Sequence, residues 1–382
     1  MRIISILLLL ISHLPTSSFQ PAEVFHANWG QEQVNLSYRT DPAMRFGPQS
    51  FKVEDSRIKI LDPVNNSLKV FQNNRLVEKY FAPDNAKSFA IKENQNIAYL
   101  VGRDVHEYSS RELVHKYINK EKFANVKDLQ VNENQLLLRN NDGTLRQLTD
   151  RSIKALDKPA PGDLRTYNVK LKSRSEADFT LQKEDTKIHC QLTQKDNNLG
   201  AVRYLGEDNH QRLYFDVDII ENEVPLKVSR QIWITDYSGQ KLGRIYIPSH
   251  YYTSIHNDLE LKEEGTIYHM LSSEDGIHIF KWEIPEEIKA GLEGHYPEKY
   301  QKQIHFNNFK DKSESSLKKK VETLGSVSRD KALQIADSYV QHEWTCTADN
   351  LTDGTVTAPD GYKIDTPDWI QIGENQKIPY KW

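Results

Sequence analysis

Thirteen histidines and two cysteines are the residues of this chain with the most chemistry to offer. A catalytic thiolate needs a basic partner and a helix N-terminus to lower its pKa. Cys346 has His342 four residues upstream, but it follows an amphipathic stretch instead of preceding one. It reads as a partly buried, inert thiol, with the role of nucleophile as the lesser alternative. Cys190 stands beside His189 in a strand-like run, and neighbours along a strand point to opposite faces, so no dyad is expected there. A Cys190–Cys346 disulfide is not expected either, because it would have to join two separate domains. No His-Glu-x-x-His and no Cys-x-x-Cys occurs, so no metal site is expected. Asp349-Asn-Leu-Thr-Asp353-Gly354 has Leu351 where a calcium loop needs an oxygen ligand, and it reads as a turn. Without a phosphate loop, a dinucleotide fingerprint or a Gly-x-Ser-x-Gly elbow, no cofactor is expected.

What remains is recognition chemistry. Trp233, Tyr237, Tyr246, Tyr251, Tyr252, Tyr268 and Trp282 crowd one part of the chain. Tyr251 and Tyr252, flanked by His250 and His256, fall in a loop-like stretch. Aromatic faces stack on sugar rings and peptide chains through their apolar surface. His250, Tyr251, Tyr252 and Trp233 are therefore the expected ligand-binding residues. The blander alternative is that these rings pack between strands.

The elements that must carry these residues are short strands. From Phe46 to Ile284 the chain shows almost no helical periodicity. Around Gly47-Pro48, apolar runs at Phe51/Val53, Ile58/Ile60/Leu61, Leu68/Val70/Phe71 and Leu76/Tyr80 are separated by Asp55-Ser56, Asp62–Asn66 and Asn73-Asn74. Asn and Asp tolerate the left-handed backbone of tight hairpins. Four short strands in about 35 residues make one antiparallel blade. The unit recurs with second-strand anchors at Ile58, Ile97, Leu136, Ile188, Ile232 and Ile267. Repeats of about 40 residues are propeller spacing. A lone blade cannot bury both faces, whereas a ring of blades buries each against the next. The fold expected is all-β: a six-bladed β-propeller over 46–285, followed by a short, incomplete α+β tail. A β-sandwich, or two small β-domains, is the alternative. Val34, Leu36 and Tyr38 alternate ahead of the first blade, so the ring-closing strand is expected between Gln33 and Arg39, within an N-terminal segment 19–45.

The string Ile60-Leu-Asp62-x-x-Asn65-x-x-Leu68-x-Val70-Phe71 resembles the repeat of NHL-type six-bladed propellers. That resemblance implies that Asp62 and Asn65 pin the turn between the second and third strands.

Residues 1–18 carry Arg2, an apolar Ile3–Ile11 core, Pro15, and small Thr16 and Ser18 before Phe19. This is the three-part pattern of a secretory signal peptide. The apolar core is shorter than the ~20 residues needed to span a bilayer. The chain is expected to be secreted, periplasmic or on the cell surface, with no membrane span after cleavage. Lys and Arg number 50 against 54 acids, a net charge of −4. No large basic face follows, and nucleic acid is not an expected partner.

After Ile284 the strand pattern fades. Residues 286–327, rich in Lys, Glu and Ser, read as a solvated linker. Ser328 then suits a helix N-cap, and Ala332, Leu333, Ile335, Ala336, Tyr339, Val340 and Trp344 form one apolar face. This stretch, then Thr366-Pro-Asp-Trp369 and Ile378-Pro379-Tyr380-Lys-Trp382, resembles the start of the catalytic domain of NlpC-type cell-wall cysteine peptidases. In that family the Pro-Tyr-x-Trp segment leads into the nucleophile. The resemblance implies that 328–382 is the front of such a domain, that Pro379, Tyr380 and Trp382 belong to its motif, and that the chain stops before its active site. The chain itself is then expected not to cleave peptidoglycan. Its propeller would recognise a cell-wall peptide or glycan for the hydrolase. A free-standing exported propeller that binds another exported protein or a glycan, and a propeller-type lyase or glycan hydrolase, are the alternatives.

Overall fold

The computed structural model describes residues 19–30, 32, 34–40, 45–119, 126–132, 135–140, 145–149, 152–155, 166–183, 186–223, 226–248, 251–288, 291–301, 327–328, 356–357, 363–366, 369–372 and 376–381. Residues 1–18, where the expected signal peptide falls, lie outside this set. Six antiparallel sheets follow one another along the chain as six blades of a β-propeller. The first blade comprises Ser50–Glu54, Arg57–Asp62, Ser67–Gln72 and Arg75–Phe81. Its hairpins turn at Asp55-Ser56 and Asn73-Asn74, all four with positive φ, as the two-residue turns of twisted hairpins require. Its two middle strands are buried on both faces, while the outer strand alternates between exposed and half-buried. That is the signature of a sheet held between two others.

The cores lie between successive blades. Leu61 and Leu68 of the first blade meet Phe89, Ile97 and Tyr99 of the second. Ala98, Leu100 and Val105 meet Leu129, Leu136 and Leu138 of the third. Phe179, Leu181 and Cys190 of the fourth meet Phe215, Val217 and Trp233 of the fifth. Ile232 and Ile245 of the fifth meet Ile267, Phe280 and Trp282 of the sixth. Phe25, Ile277 and Ile279 of the sixth meet Phe51, Ile58, Ile60 and Phe71 of the first, which closes the circle.

The Asp62–Asn66 turn is pinned by its own side chains. Pro63–Asn65 is a single 3-10 turn capped by Asp62, whose carboxylate accepts from the Asn65 Nδ2 at 2.8 Å. Asn66 follows in the left-handed region at φ 47°. Lys69, fully buried, donates to Asp62 at 3.1 Å and also to the Asn35 carbonyl. Burial pushes the Asp62 carboxyl up and the Lys69 amine down, against the attraction between them.

Four expectations change. The ring-closing strand is Ala22–Asn28, earlier than Gln33–Arg39; it is the outermost strand of the sixth blade and pairs with Gly276–Glu283. Leu36 is buried in a local loop instead, where Gly30 donates to its carbonyl and Leu36 donates to Asn28, while Val34 and Tyr38 face solvent. Ile188 and Ile232 lie in third strands, not second ones. The fourth sheet has three strands, Thr166–Leu171, Glu176–Lys183 and Thr186–Thr193, and Asn198–Glu207 opens the fifth. The stretch beyond 285, read as linker, sends Leu292–Gly294 to lie parallel to Lys241–Ile247 and docks Tyr296 at 1% exposure. Its polar composition hides that one buried ring. In the tail, Val327–Ser328 is a strand, because its backbone pairs with Tyr380-Lys381, so Ser328 is not a helix cap. With Val356–Thr357, Lys363–Thr366, Trp369–Ile372 and Gln376–Lys381 it forms a five-stranded sheet. Residues 329–344 of the expected helix lie outside the described residues. No described helix is long and apolar enough to cross a membrane.

Candidate functional site

Two inter-blade connections, one leading from Asn28 to Ser50 and one from Ile247 to Leu259, meet side by side at Phe46–Ser254 and Ser50–Asn257. Ser254 donates to the Arg45 carbonyl at 2.8 Å, and His256 and Asn257 both donate to the Gln49 carbonyl at 2.9 Å. The buried Gln49 side chain ties back to the Gly47 and Ser254 carbonyls, each at 2.9 Å. This backbone lattice holds four side chains in one partly exposed cluster. Tyr38 meets Trp29 and Tyr252 edge-on, with centroids 5.3 and 5.2 Å apart. The Arg45 guanidinium lies 4.2 Å over the Tyr252 ring. Trp29 is anchored by its indole N–H on the Ser273 carbonyl at 2.8 Å. Tyr38 is 37% exposed, and Val34, four residues before it, is 49% exposed.

The neighbouring residue, Tyr251, points inward and joins a ladder of buried polar groups. Arg230 lies between two carboxylates: its Nε and Nη2 donate to Asp216 at 2.7 and 2.9 Å, and its Nη1 and Nη2 donate to Asp258. Arg203 extends the ladder from Asp216 to Asp218, at 3.2 and 2.6 Å. On the other side, Tyr251 Oη donates to Asp258 and stands 2.7 Å from His269 Nε2. His269 Nδ1 stands 2.7 Å from Tyr296 Oη, which accepts from the Trp282 indole at 3.0 Å. The donors resolve in one direction. Trp282 donates to Tyr296, Tyr296 to Nδ1, Nε2–H to Tyr251, and Tyr251 to Asp258, so His269 is the neutral Nε2–H tautomer.

The charges are arranged to match. Burial alone would raise Asp258, but the Arg230 charge and hydrogen bonds from His269 and Arg230 hold it well below the usual carboxylate range. Burial, with the Asp258 charge, pushes Tyr251 well up, and burial depresses His269. Asp258 is thus ionised, Tyr251 and His269 are neutral, and every group is already paired. The ladder can fix the Pro248–Asp258 connection in place; it offers no free base or nucleophile.

A pH dependence follows. His269, His256 and His106 are all depressed by burial in the folded chain. The unfolded chain therefore binds more protons as pH falls below about 6.5, and stability decreases with acidification. Asp258, also depressed when folded, extends the loss below about pH 4. Urea midpoints measured between pH 8 and pH 5 should fall, and His269→Gln should flatten the slope. A midpoint independent of pH over that range would contradict the assignment.

Tyr252 and Tyr251 are thus brought to the same connection, one outward and one inward. Trp233 lies in the core at 1% exposure, its indole on Gln231 at 2.9 Å, and presents no face to solvent. His250, Cys346 and Trp382 lie outside the described residues. Pro379 and Tyr380 sit in the last strand of the tail sheet, paired with Trp369 and Val327. Cys190 is buried, and burial pushes its thiol up to about 11, which makes it inert. Trp29, Tyr38 and Arg45 had no motif to mark them; their cluster is made by the closing strand's exit. Among the described residues, Glu23, His26 and His278 bring potential metal-ligand atoms within 4.8 Å of one another.

No family model matches this chain, and no curated protein matches it in sequence. Among solved structures it is similar to the hydrazine synthase of Kuenenia stuttgartiensis, at 7% identity and TM-score 0.39, over 63% of this chain and 80% of that one. It is similar to the C-terminal WD40 domain of Sif2, at 11% identity and TM-score 0.35, over 70% of this chain and 99% of that one. It is also similar to BamB from Moraxella catarrhalis, at 11% identity and TM-score 0.32, over 69% of this chain and 99% of that one.

Proposed function

We propose that this chain is an exported recognition module, whose propeller holds a peptide or glycan chain of the cell wall against the face bearing Tyr38, Tyr252, Trp29 and Arg45. One observation carries this reading. The partly exposed side chains of that face are the aromatic and arginine types that dominate binding hot spots, and the backbone beneath them is fixed by hydrogen bonds. The acids, histidine and tyrosine of the adjoining ladder satisfy one another, which favours binding over catalysis. The signal-like N-terminus supports export, and the NlpC-like tail motif supports a wall hydrolase as the activity served. Purified chain should co-sediment with insoluble peptidoglycan and release no new amines from muropeptides. Tyr38→Ala combined with Tyr252→Ala should weaken co-sedimentation tenfold or more, since hot-spot residues cost about 2 kcal/mol or more each. Binding unchanged in that double variant, or absent in the parent chain, would overturn the reading.

A further inference from the structure

The ring-closing strand carries a second arrangement, away from the aromatic face. His26 of that strand and His278 of its partner strand are directly paired in register. Their rings stack at 4.3 Å with planes 8° apart. His278 is buried, at 1% exposure, and its two nitrogens face different partners. Nε2 lies 2.8 Å from Ser273 Oγ and 3.1 Å from the Asp275 carboxylate. Nδ1 lies 3.1 Å from Glu23 Oε1, and Tyr300 Oη reaches both Nδ1 and Glu23, at 3.2 and 3.1 Å.

When Nε2–H donates to Asp275, Nδ1 presents a lone pair. That lone pair then faces a carboxylate oxygen across 3.1 Å, a gap that a bound cation would fill; the Nδ1–H tautomer, donating to Glu23 and accepting from Ser273 Oγ at 2.8 Å, is the ion-free arrangement. Ligands on one tetrahedral zinc ion, each bound at about 2.0–2.1 Å, stand roughly 3.3–3.4 Å apart. The observed separation is close to that. The carboxylate behind the other ring nitrogen is the arrangement that orients a metal-bound histidine. His26, exposed and stacked on His278, brings a ring nitrogen within 4.8 Å of the other two ligand atoms and is the third ligand.

We propose that Glu23, His26 and His278 bind a divalent transition ion of the zinc class, with Asp275 and Ser273 positioning His278. Two ligands come from the closing strand and one from the sixth blade's third strand. The ion would therefore staple the ring where the chain's beginning meets the end of the propeller.

Tag-free full-length chain, stripped with a chelator, tests this with zinc and cobalt as probes. One cobalt per chain should bind with visible ligand-field bands, and zinc should displace it and raise the melting temperature. His26→Ala, at an exposed position, should weaken zinc binding at least tenfold without unfolding the chain. Asp275→Asn should weaken it about 10–100-fold, as loss of an orienting partner does. A proton on His278 Nδ1 is the rival occupant of that gap. Imidazole nitrogen shifts that show His278 Nδ1 still protonated in excess zinc would overturn the proposal. So would an absence of cobalt bands, or zinc affinity unchanged in His26→Ala.

Discussion

A chain that lacks residues 19–28 should fail to fold cooperatively, and Phe25→Ala alone should lower stability by about 3–5 kcal/mol. Phe25 is 2% exposed and packs on Phe71 with centroids 4.7 Å apart, so it fastens the sixth blade to the first. A single domain is stable by only about 5–15 kcal/mol, so one such loss is a large share of the total. Removing the whole strand does more. It exposes the edge of Gly276–Glu283, with Ile277 and Ile279 on it, and leaves the ring open where every other blade has a neighbour. The control is Val34→Ser, in the stretch whose alternation looks more like a closing strand. Val34 is half exposed, and such a surface change should stay within about 0.5 kcal/mol. Urea unfolding followed by circular dichroism reads both. Equal losses in Phe25→Ala and Val34→Ser would mean that the ring is closed elsewhere.

That contrast also shows how far the sequence could be read. The first blade was legible because Asp55-Ser56, Asn73-Asn74 and the Asp62–Asn66 turn announce its hairpins by residue type. The fourth and fifth blades were misregistered because their strands are long. Leu213–Glu223 and Leu226–Thr235 run through charged residues such as Asp216, Asp218 and Arg230, which look like breaks in a strand. Those charges are inside because they pair with one another, and pairing between distant positions leaves no local mark. Tyr251 and Tyr252 were legible as a loop pair, but not the opposite directions in which they point. Glu23, His26 and His278 could not be found by spacing at all, since strand pairing alone brings position 26 beside position 278. The tight turns of this molecule are written locally, whereas its site and its closure are written in cross-strand contacts.

Arg230→Met should be the most damaging single change in the ladder, at about 3–5 kcal/mol, the cost of stranding buried charge. Arg230 is the only described cation bonded to both Asp216 and Asp258. Methionine fills a similar volume, so the loss would report charge and not a cavity. Arg203→Met should cost less, because Arg203 is 37% exposed and water can replace it. The pH dependence separates this account from simple misfolding. In the parent chain Asp258 is depressed by Arg230, so acid weakens the fold. Without Arg230, burial outweighs the hydrogen bond from His269 and raises the Asp258 carboxyl above its unfolded value. At that carboxyl the folded variant then binds a proton more readily than the unfolded one, so this contribution to stability rises as pH falls through that range. The gap between parent and Arg230→Met should therefore be wide at pH 8 and narrow at pH 5. Asp216→Asn and Asp258→Asn, added to Arg230→Met, should each recover part of the loss at pH 8, and Asp258→Asn little of it at pH 5. A gap constant across pH, with no recovery by the amides, would show that Arg230 matters for its packing and that the ladder's charges are incidental to the fold.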